Sequence, residues 1–188
     1  MAEVETNPVL QVIDITQPLE ENKKYPAGLL HFSQAGWRAY YHCHPASRAG
    51  NHRFQGEHGH FHIFVRIQNT PEKWSHLVAL AMDPLGQPLG WFTVNHWVTA
   101  EAWLDAEKLI KYLQNIPFAK QDTLTESWLL SLLAASYNDI VQILISRDQH
   151  LQEYQRQQQP EIDSKQDRSI YVLSERAIDL MALIKPKI

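Results

Sequence analysis

Four stretches of the chain concentrate or alternate apolar residues over lengths that are typical of β-strands. They are residues 37–43, 58–67, 74–83 and 89–95, and the segments between them carry proline, glycine and asparagine. The last two stretches flank residues 84–88, which are typical of a hairpin turn. This spacing predicts a four-stranded antiparallel meander.

Beyond the fourth stretch the apolar residues recur at helical spacing. Three helices are predicted, over residues 99–115, 123–150 and 174–184. Thr99 is the expected N-cap of the first helix and Ser174 that of the last. The polar segment 152–168 predicts a solvated linker. Strands followed by helices indicate an α+β fold, with a small antiparallel sheet over about 37–95 packed against C-terminal helices.

A chain of 188 residues, 44% of them hydrophobic, predicts a single domain with a real core. Within it we expect an extended N-terminal arm over 1–36, a histidine-bearing sheet over 37–98 and a helical part over 99–188. A net charge of −4 provides no basic footprint for nucleic acid, and no apolar stretch reaches the length of a membrane span. The single cysteine, Cys43, cannot form an internal disulfide, which favours the cytoplasm.

Histidines alternate along two of the predicted strands. In residues 58–62 the sequence HGHFH places three imidazoles on one strand face and Phe61 on the other. In the preceding strand His42 and His44 alternate in the same way. If the two strands pair, the Cβ atoms of opposite residues lie about 4.5–5.5 Å apart, which lets several imidazoles meet at one ion.

Neutral imidazole is a common ligand of transition metals, so this pattern predicts a metal site with zinc or iron as the expected ion. The candidate ligands, in order of preference, are His60, His62, His58, His42 and His44. The alternative is a polar row that faces solvent. His76 and Asn95 lie on the predicted hairpin, and the strand face of each stays open.

Two charged residues beside the histidines are candidates for a catalytic role. Glu57 could bind the metal or orient a ligand, or be an exposed loop acid. Arg66 could hold a substrate carboxylate with two hydrogen bonds, or pair with a surface acid. Cys43 should point away from both neighbouring histidines, which indicates a buried and inert thiol.

The histidine strands also carry a family resemblance. Residues 41–44, the GEHGHFH segment that starts at Gly56, residues 77–83 and residues 95–99 resemble an uncharacterised bacterial family with a domain of unknown function. The resemblance covers the middle third of the chain and implies no activity. The His60–His62 pair is also similar to the His-x-His strand of cupins, but the cupin glutamate is missing and Thr93 stands where a histidine is expected.

These observations predict a cytoplasmic, histidine-rich metal-binding protein, and leave open whether it is an enzyme that acts on a small molecule. The second hypothesis is a non-catalytic interaction or structural protein. It would use the long helix at 124–151 to bind a protein partner or a second copy of the chain.

Overall fold

The structure is a computed structural model that describes residues 7–13, 19–21, 23–32, 36–44, 54–118, 122–157 and 163–184. Its strands are β1 (Tyr25–Phe32), β2 (Trp37–Cys43), β3 (Gly59–Arg66), β4 (Trp74–Met82), β5 (Pro88–Val94) and β6 (Val172–Ala177). Its helices are α1 (His96–Thr99), α2 (Ala106–Leu113), α3 (Leu124–Ala135), α4 (Tyr137–Gln157) and α5 (Leu180–Ile184). Within these ranges the strands form one antiparallel sheet in the order β1-β2-β3-β4-β5-β6. The predicted α+β class is therefore confirmed, and β2 to β5 are the predicted meander.

The sheet has one strand more at each edge than the sequence pattern predicts. β1 lies within the predicted N-terminal arm and pairs with β2. β6 occupies the first part of the region predicted as a helix over 174–184, so that prediction is wrong except at Leu180–Ile184. Ser174, the expected N-cap, is a strand residue opposite Thr93, and its hydroxyl donates to the carbonyl of Ile143 at 2.6 Å. Pairing with β5 thus overrides the helical spacing, since strand formation depends strongly on tertiary context.

The helix predicted over 99–115 is replaced by two shorter helices. Thr99 is the last residue of α1, not an N-cap, and Ala100 leaves the helix in a left-handed conformation with φ of 53°. α1 is capped by Asn95, whose side chain accepts from the next backbone N–H. α2 is capped by Asp105, whose carboxylate accepts from the backbone N–H of Lys108.

The long helix predicted over 123–150 is also divided. α3 begins with the capping box of Thr123 and Glu126, and it ends at Ser136, where the backbone leaves helical geometry. α4 then runs to Gln157, well into the predicted linker. None of the described helices is by itself long and apolar enough to cross a membrane. The α3–α4 pair would be by length and composition, but it is bent by 75° at its break.

The two faces of the sheet have different coverings. One face, here called the helix face, carries Tyr41, Phe61, Leu80 and Trp91 in a single cross-strand row. These side chains are fully buried in a core that includes apolar residues of α2, α3 and α4. The opposite face, here called the histidine face, carries His42 and the alternate residues of β3. On this face a second, smaller apolar cluster joins Ala79, Ala81 and Phe92 to Phe54, Val98 and Tyr171.

Candidate metal centre

The pairing of β2 with β3 brings the histidines together as the sequence pattern predicts. His42 lies directly opposite His60, and the next row of the same face pairs Tyr40 with His62. The neighbouring residues on β4 are Ala81 and Ala79. Because alanine side chains are short, they leave room above β4 for the two imidazoles of β3, which are 0% and 1% exposed.

Three imidazole nitrogens converge on one point of this face. The Nε2 atom of His42 lies 2.6 Å from Nε2 of His60 and 3.2 Å from Nε2 of His62. Each of the three histidines has one ring nitrogen that lies within 4.8 Å of a ring nitrogen of each of the other two. Two nitrogens bound to one tetrahedral zinc at about 2.0–2.1 Å are about 3.3 Å apart, so a small outward movement of His42 and His60 would admit an ion. We call these three residues the histidine triad.

A buried carboxylate holds one triad member from behind. Glu57 ends a turn that starts at Phe54, and its Oε1 lies 2.8 Å from Nδ1 of His60 with neither side chain exposed. The Phe54 ring packs over Gly90, where a Cβ would lie 2.2 Å from the ring, and this contact fixes the turn. The structure thus places Glu57 as a group that orients His60, one of the roles considered from the sequence.

A fourth imidazole supports the second triad member. Nε2 of His76, on β4, lies 2.9 Å from Nδ1 of His62, and His76 is buried. His76 reaches the histidine face because β4 has an irregular register, in which Ile63 pairs with Val78 but Phe64 pairs with His76. Asn95, the other residue left open by the sequence, is buried elsewhere. Its side-chain amide donates to the carbonyl of Ser164 at 2.9 Å.

These outer contacts determine which nitrogens carry protons. When Glu57 is ionised its carboxylate only accepts hydrogen bonds, so Nδ1 of His60 then carries the proton and its Nε2 presents a lone pair to the triad. When Nδ1 of His62 donates to His76, Nε2 of His62 presents a second lone pair. The neutral ring of His42 has only one proton to donate to these two lone pairs. A cation at this point satisfies all three nitrogens together.

The electrostatics of the site favour neutral imidazoles. Burial, followed by the charges of His60, His44 and Lys24, lowers the pKa of His42 from 6.5 to about 2. Burial and the neighbouring imidazoles likewise lower the pKa of His62 well below 6.5. Since only the neutral ring has a lone pair for a metal, both residues are ready to bind one near neutral pH.

The other two candidate histidines lie outside the triad. His58 precedes β3, so the strand alternation does not extend to it, and its Nδ1 lies 2.5 Å from the hydroxyl of Tyr41. The His44 ring follows β2 and lies beside the triad, with its centroid 4.7 Å from that of His42 and 5.2 Å from that of His60. Their roles as ligands stay predictions. Gly59 permits a close approach, since a Cβ there would lie 2.5 Å from the Tyr41 hydroxyl.

Arg66 is placed away from the triad. It is exposed at the far end of β3, and its guanidinium carbon lies 5.0 Å from the centre of the Trp74 ring. Arg38 lies nearer on the histidine face, where it packs over Phe64 and forms an ion pair with Glu101. The predicted substrate contact of Arg66 therefore has no support from its position. Cys43 is buried and pairs with Gly59 on β3, and burial raises its pKa.

Sequence reasoning did not single out Tyr40 and Lys24. The Tyr40 ring contacts both His42 and His62, at centroid distances of 5.8 and 5.3 Å. The ammonium group of Lys24 lies 4.6 Å from the centre of the Tyr40 ring. Tyr40 alternates with His42 in the sequence, so the register of β2 could have identified it. Lys24 precedes β1, which the hydrophobic pattern did not reveal.

Comparison with protein families gave a match over most of the chain. The sequence model of the family described as "Domain of unknown function (DUF6969)" matches residues 1–178, so the chain belongs to this family. Comparison with curated proteins and with solved structures gave no match. The family carries no activity to transfer, and the functional argument rests on the geometry of the triad.

Proposed function

We propose that this member of the DUF6969 family binds a single transition-metal ion through the Nε2 atoms of His42, His60 and His62. The convergence of these three nitrogens on a buried face carries the proposal. The buried carboxylate of Glu57 behind His60 supports it, because metal-binding histidines commonly donate their second ring N–H to such a partner.

Zinc or iron is the ion that the donor set suits best. All three proposed donors are imidazole nitrogens, whereas magnesium and calcium prefer oxygen ligands. Copper and nickel also bind imidazole, so the metal assay must include them.

We further propose that the site is catalytic and acts on a small molecule. Three protein ligands leave a coordination position for a substrate or water, as in catalytic zinc sites, whereas structural sites use four. A metal with an open position supplies Lewis acidity to the group bound there. Around it, Glu57 and His76 hold two of the ligand rings, and the aromatic rings of Tyr40 and Phe92 limit access of solvent.

The alternative role for the long helix has less support. In α3 and α4 the apolar residues Leu129, Leu133, Ile140 and Leu144 are buried in the core of the same chain. Binding of a partner or a second copy through residues 124–151 stays a prediction. We retain the cytoplasm as the proposed compartment, because the single cysteine is free and buried.

Elemental analysis of untagged protein tests the metal proposal. Wild-type protein, and a His31→Ala control that removes an exposed histidine, should each hold close to one zinc or iron per chain. The His60→Ala variant should hold little metal, since it loses one of three ligands. Wild-type protein that neither contains nor takes up zinc, iron, copper or nickel at micromolar concentration would contradict the proposal.

A further inference from the structure

We propose that the open position of this centre takes a small carboxylate-type anion, and that Lys24 raises the affinity for it. The inference rests on the proposed function, because the anion would bind to the metal.

The charge balance of the site favours an anion. Three neutral imidazoles bring no charge to compensate a divalent ion. The nearby buried carboxyl group of Glu57 lies behind His60 and, when ionised, compensates one charge from a distance. A net positive charge therefore remains at the open position, in surroundings where aromatic side chains keep water out. A single carboxylate bound there would bring the site close to neutrality.

Lys24 stands where an anion would approach. His42 is the half-buried member of the triad, whereas His60 and His62 are fully covered, so access is from the side of His42. Tyr40 lies on that side against His42, and the ammonium group of Lys24 lies 4.6 Å from the centre of the Tyr40 ring.

The other cations nearby are already matched by acids or lie elsewhere. Lys23 forms an ion pair with Glu20, and Arg38 forms one with Glu101. Arg66 lies over Trp74 at the far end of β3. Among the residues that the structure describes, Lys24 forms no ion pair, so its charge is available to a ligand.

The size of the anion follows from the walls of the site. The rings of Tyr40, Phe64 and Phe92 lie 5.0–6.5 Å from those of the triad, centre to centre. Rings at these distances are in packing contact, which excludes a bulky acid and favours the smallest anions, such as formate or azide. These two anions are therefore suitable probes.

The test uses full-length protein loaded with cobalt(II), whose visible spectrum reports on its ligands. Formate and azide are titrated at pH 7.5 and low ionic strength into wild-type protein and the variants Lys24→Gln, Lys24→Glu, Lys23→Gln and Arg66→Gln. We expect about two- to fivefold weaker anion binding for Lys24→Gln, the size typical of one exposed charge, and a larger loss for Lys24→Glu. The Lys23→Gln and Arg66→Gln controls should match wild type. Salt at about 0.5 M should remove most of the difference.

Two results overturn the inference while leaving the metal site in place. The first is a protein with one cobalt per chain whose spectrum no anion changes. The second is anion affinity that is equal in wild type, Lys24→Gln and Lys24→Glu. Failure of the wild-type protein to retain cobalt would instead overturn the proposed function, and this inference with it.

Discussion

The Oε1 atom of Glu57 lies 2.8 Å from Nδ1 of His60, and both side chains are fully shielded from solvent. A carboxylate placed on the outer nitrogen of an imidazole fixes its tautomer and makes the inner nitrogen a better electron donor. Burial of this carboxylate is unfavourable in free energy, because the group loses its hydration. In the account proposed here, Glu57 prepares His60 to bind a metal.

Replacing this carboxylate should weaken metal binding without removing a ligand. We expect Glu57→Gln to lower zinc affinity about 10- to 100-fold, the usual effect of losing such a partner. Competition with a chromophoric chelator measures the affinity. The exposed acid Glu175 provides the control, and Glu175→Gln should bind zinc as the wild type does. Equal affinities for wild type and Glu57→Gln would show that Glu57 has no role at the site.

The position of His58 predicts that this histidine does not bind the ion. Because its Nδ1 lies on the Tyr41 hydroxyl, His58→Ala should keep one metal per chain. It should lower the free energy of unfolding of the metal-free protein by about 1 kcal/mol, the usual value of one hydrogen bond. His42→Ala should lose most of the metal instead. Loss of metal in His58→Ala, with the fold intact by circular dichroism, would mean that this face is arranged differently.

Gly59 offers a test of the strand contact that brings the triad together. A Cβ at this position would lie 2.5 Å from both the Tyr41 hydroxyl and the His42 carbonyl, so Gly59→Ala should push β2 and β3 apart. We expect a loss of about 1–3 kcal/mol in stability, as for other overpacked sites, together with weaker metal binding. Chemical denaturation and zinc titration measure the two effects.

The matched control for this experiment is Gly28→Ala. Among the residues that the structure describes, no heavy atom beyond the two chain neighbours lies within 4 Å of a Cβ built there, so the substitution should be close to neutral. Equal stability of Gly59→Ala and Gly28→Ala would contradict the close approach of Tyr41 and His42 to Gly59.

The metal-free protein should be sensitive to acid over a defined range. In the folded state, burial lowers the pKa of His42 to about 2 and that of His76 to about 3, and it also lowers that of His62. In the unfolded chain each titrates near 6.5, so below that pH the unfolded state binds more protons. Stability is therefore fully present above about pH 6.5 and is lost as the pH falls toward 3.

Urea unfolding at pH 7.5, 6 and 5 measures this loss. Each buried histidine contributes up to about 1.4 kcal/mol per pH unit below 6.5. The His76→Leu variant should show a shallower dependence, because it lacks one of the titrating groups. A free energy of unfolding that stays constant from pH 7.5 to 5 would contradict the lowered pKa values.

Much of the histidine face could be predicted from the sequence, because strand alternation is a strong local signal. The HGHFH segment and the alternation around His42 are enough to place His42, His60 and His62 on one face once β2 pairs with β3. The boundaries of the four central strands follow from the same pattern.

The errors have a common origin in contacts between distant parts of the chain. β6 forms because the edge of β5 is open to pairing with another strand. The helical spacing of the apolar residues in 174–184 did not reveal this pairing. The sheet face on which His76 lies depends on the irregular register of β4, which changes between Val78 and His76. His58 leaves the row because the strand starts one residue later, at Gly59. Lys24 lies over the Tyr40 ring because the adjoining β1, an edge strand in the predicted arm, pairs with β2.

The most direct test of the central claim is anomalous X-ray diffraction from crystals of the untagged protein, collected on both sides of the absorption edge of its metal. The account predicts one strong anomalous peak per chain, about 2.0–2.2 Å from the Nε2 atoms of His42, His60 and His62. It also predicts that Glu57 remains on Nδ1 of His60. A metal-free triad in crystals grown with excess zinc or iron, or a peak bound by a different set of residues, would contradict it.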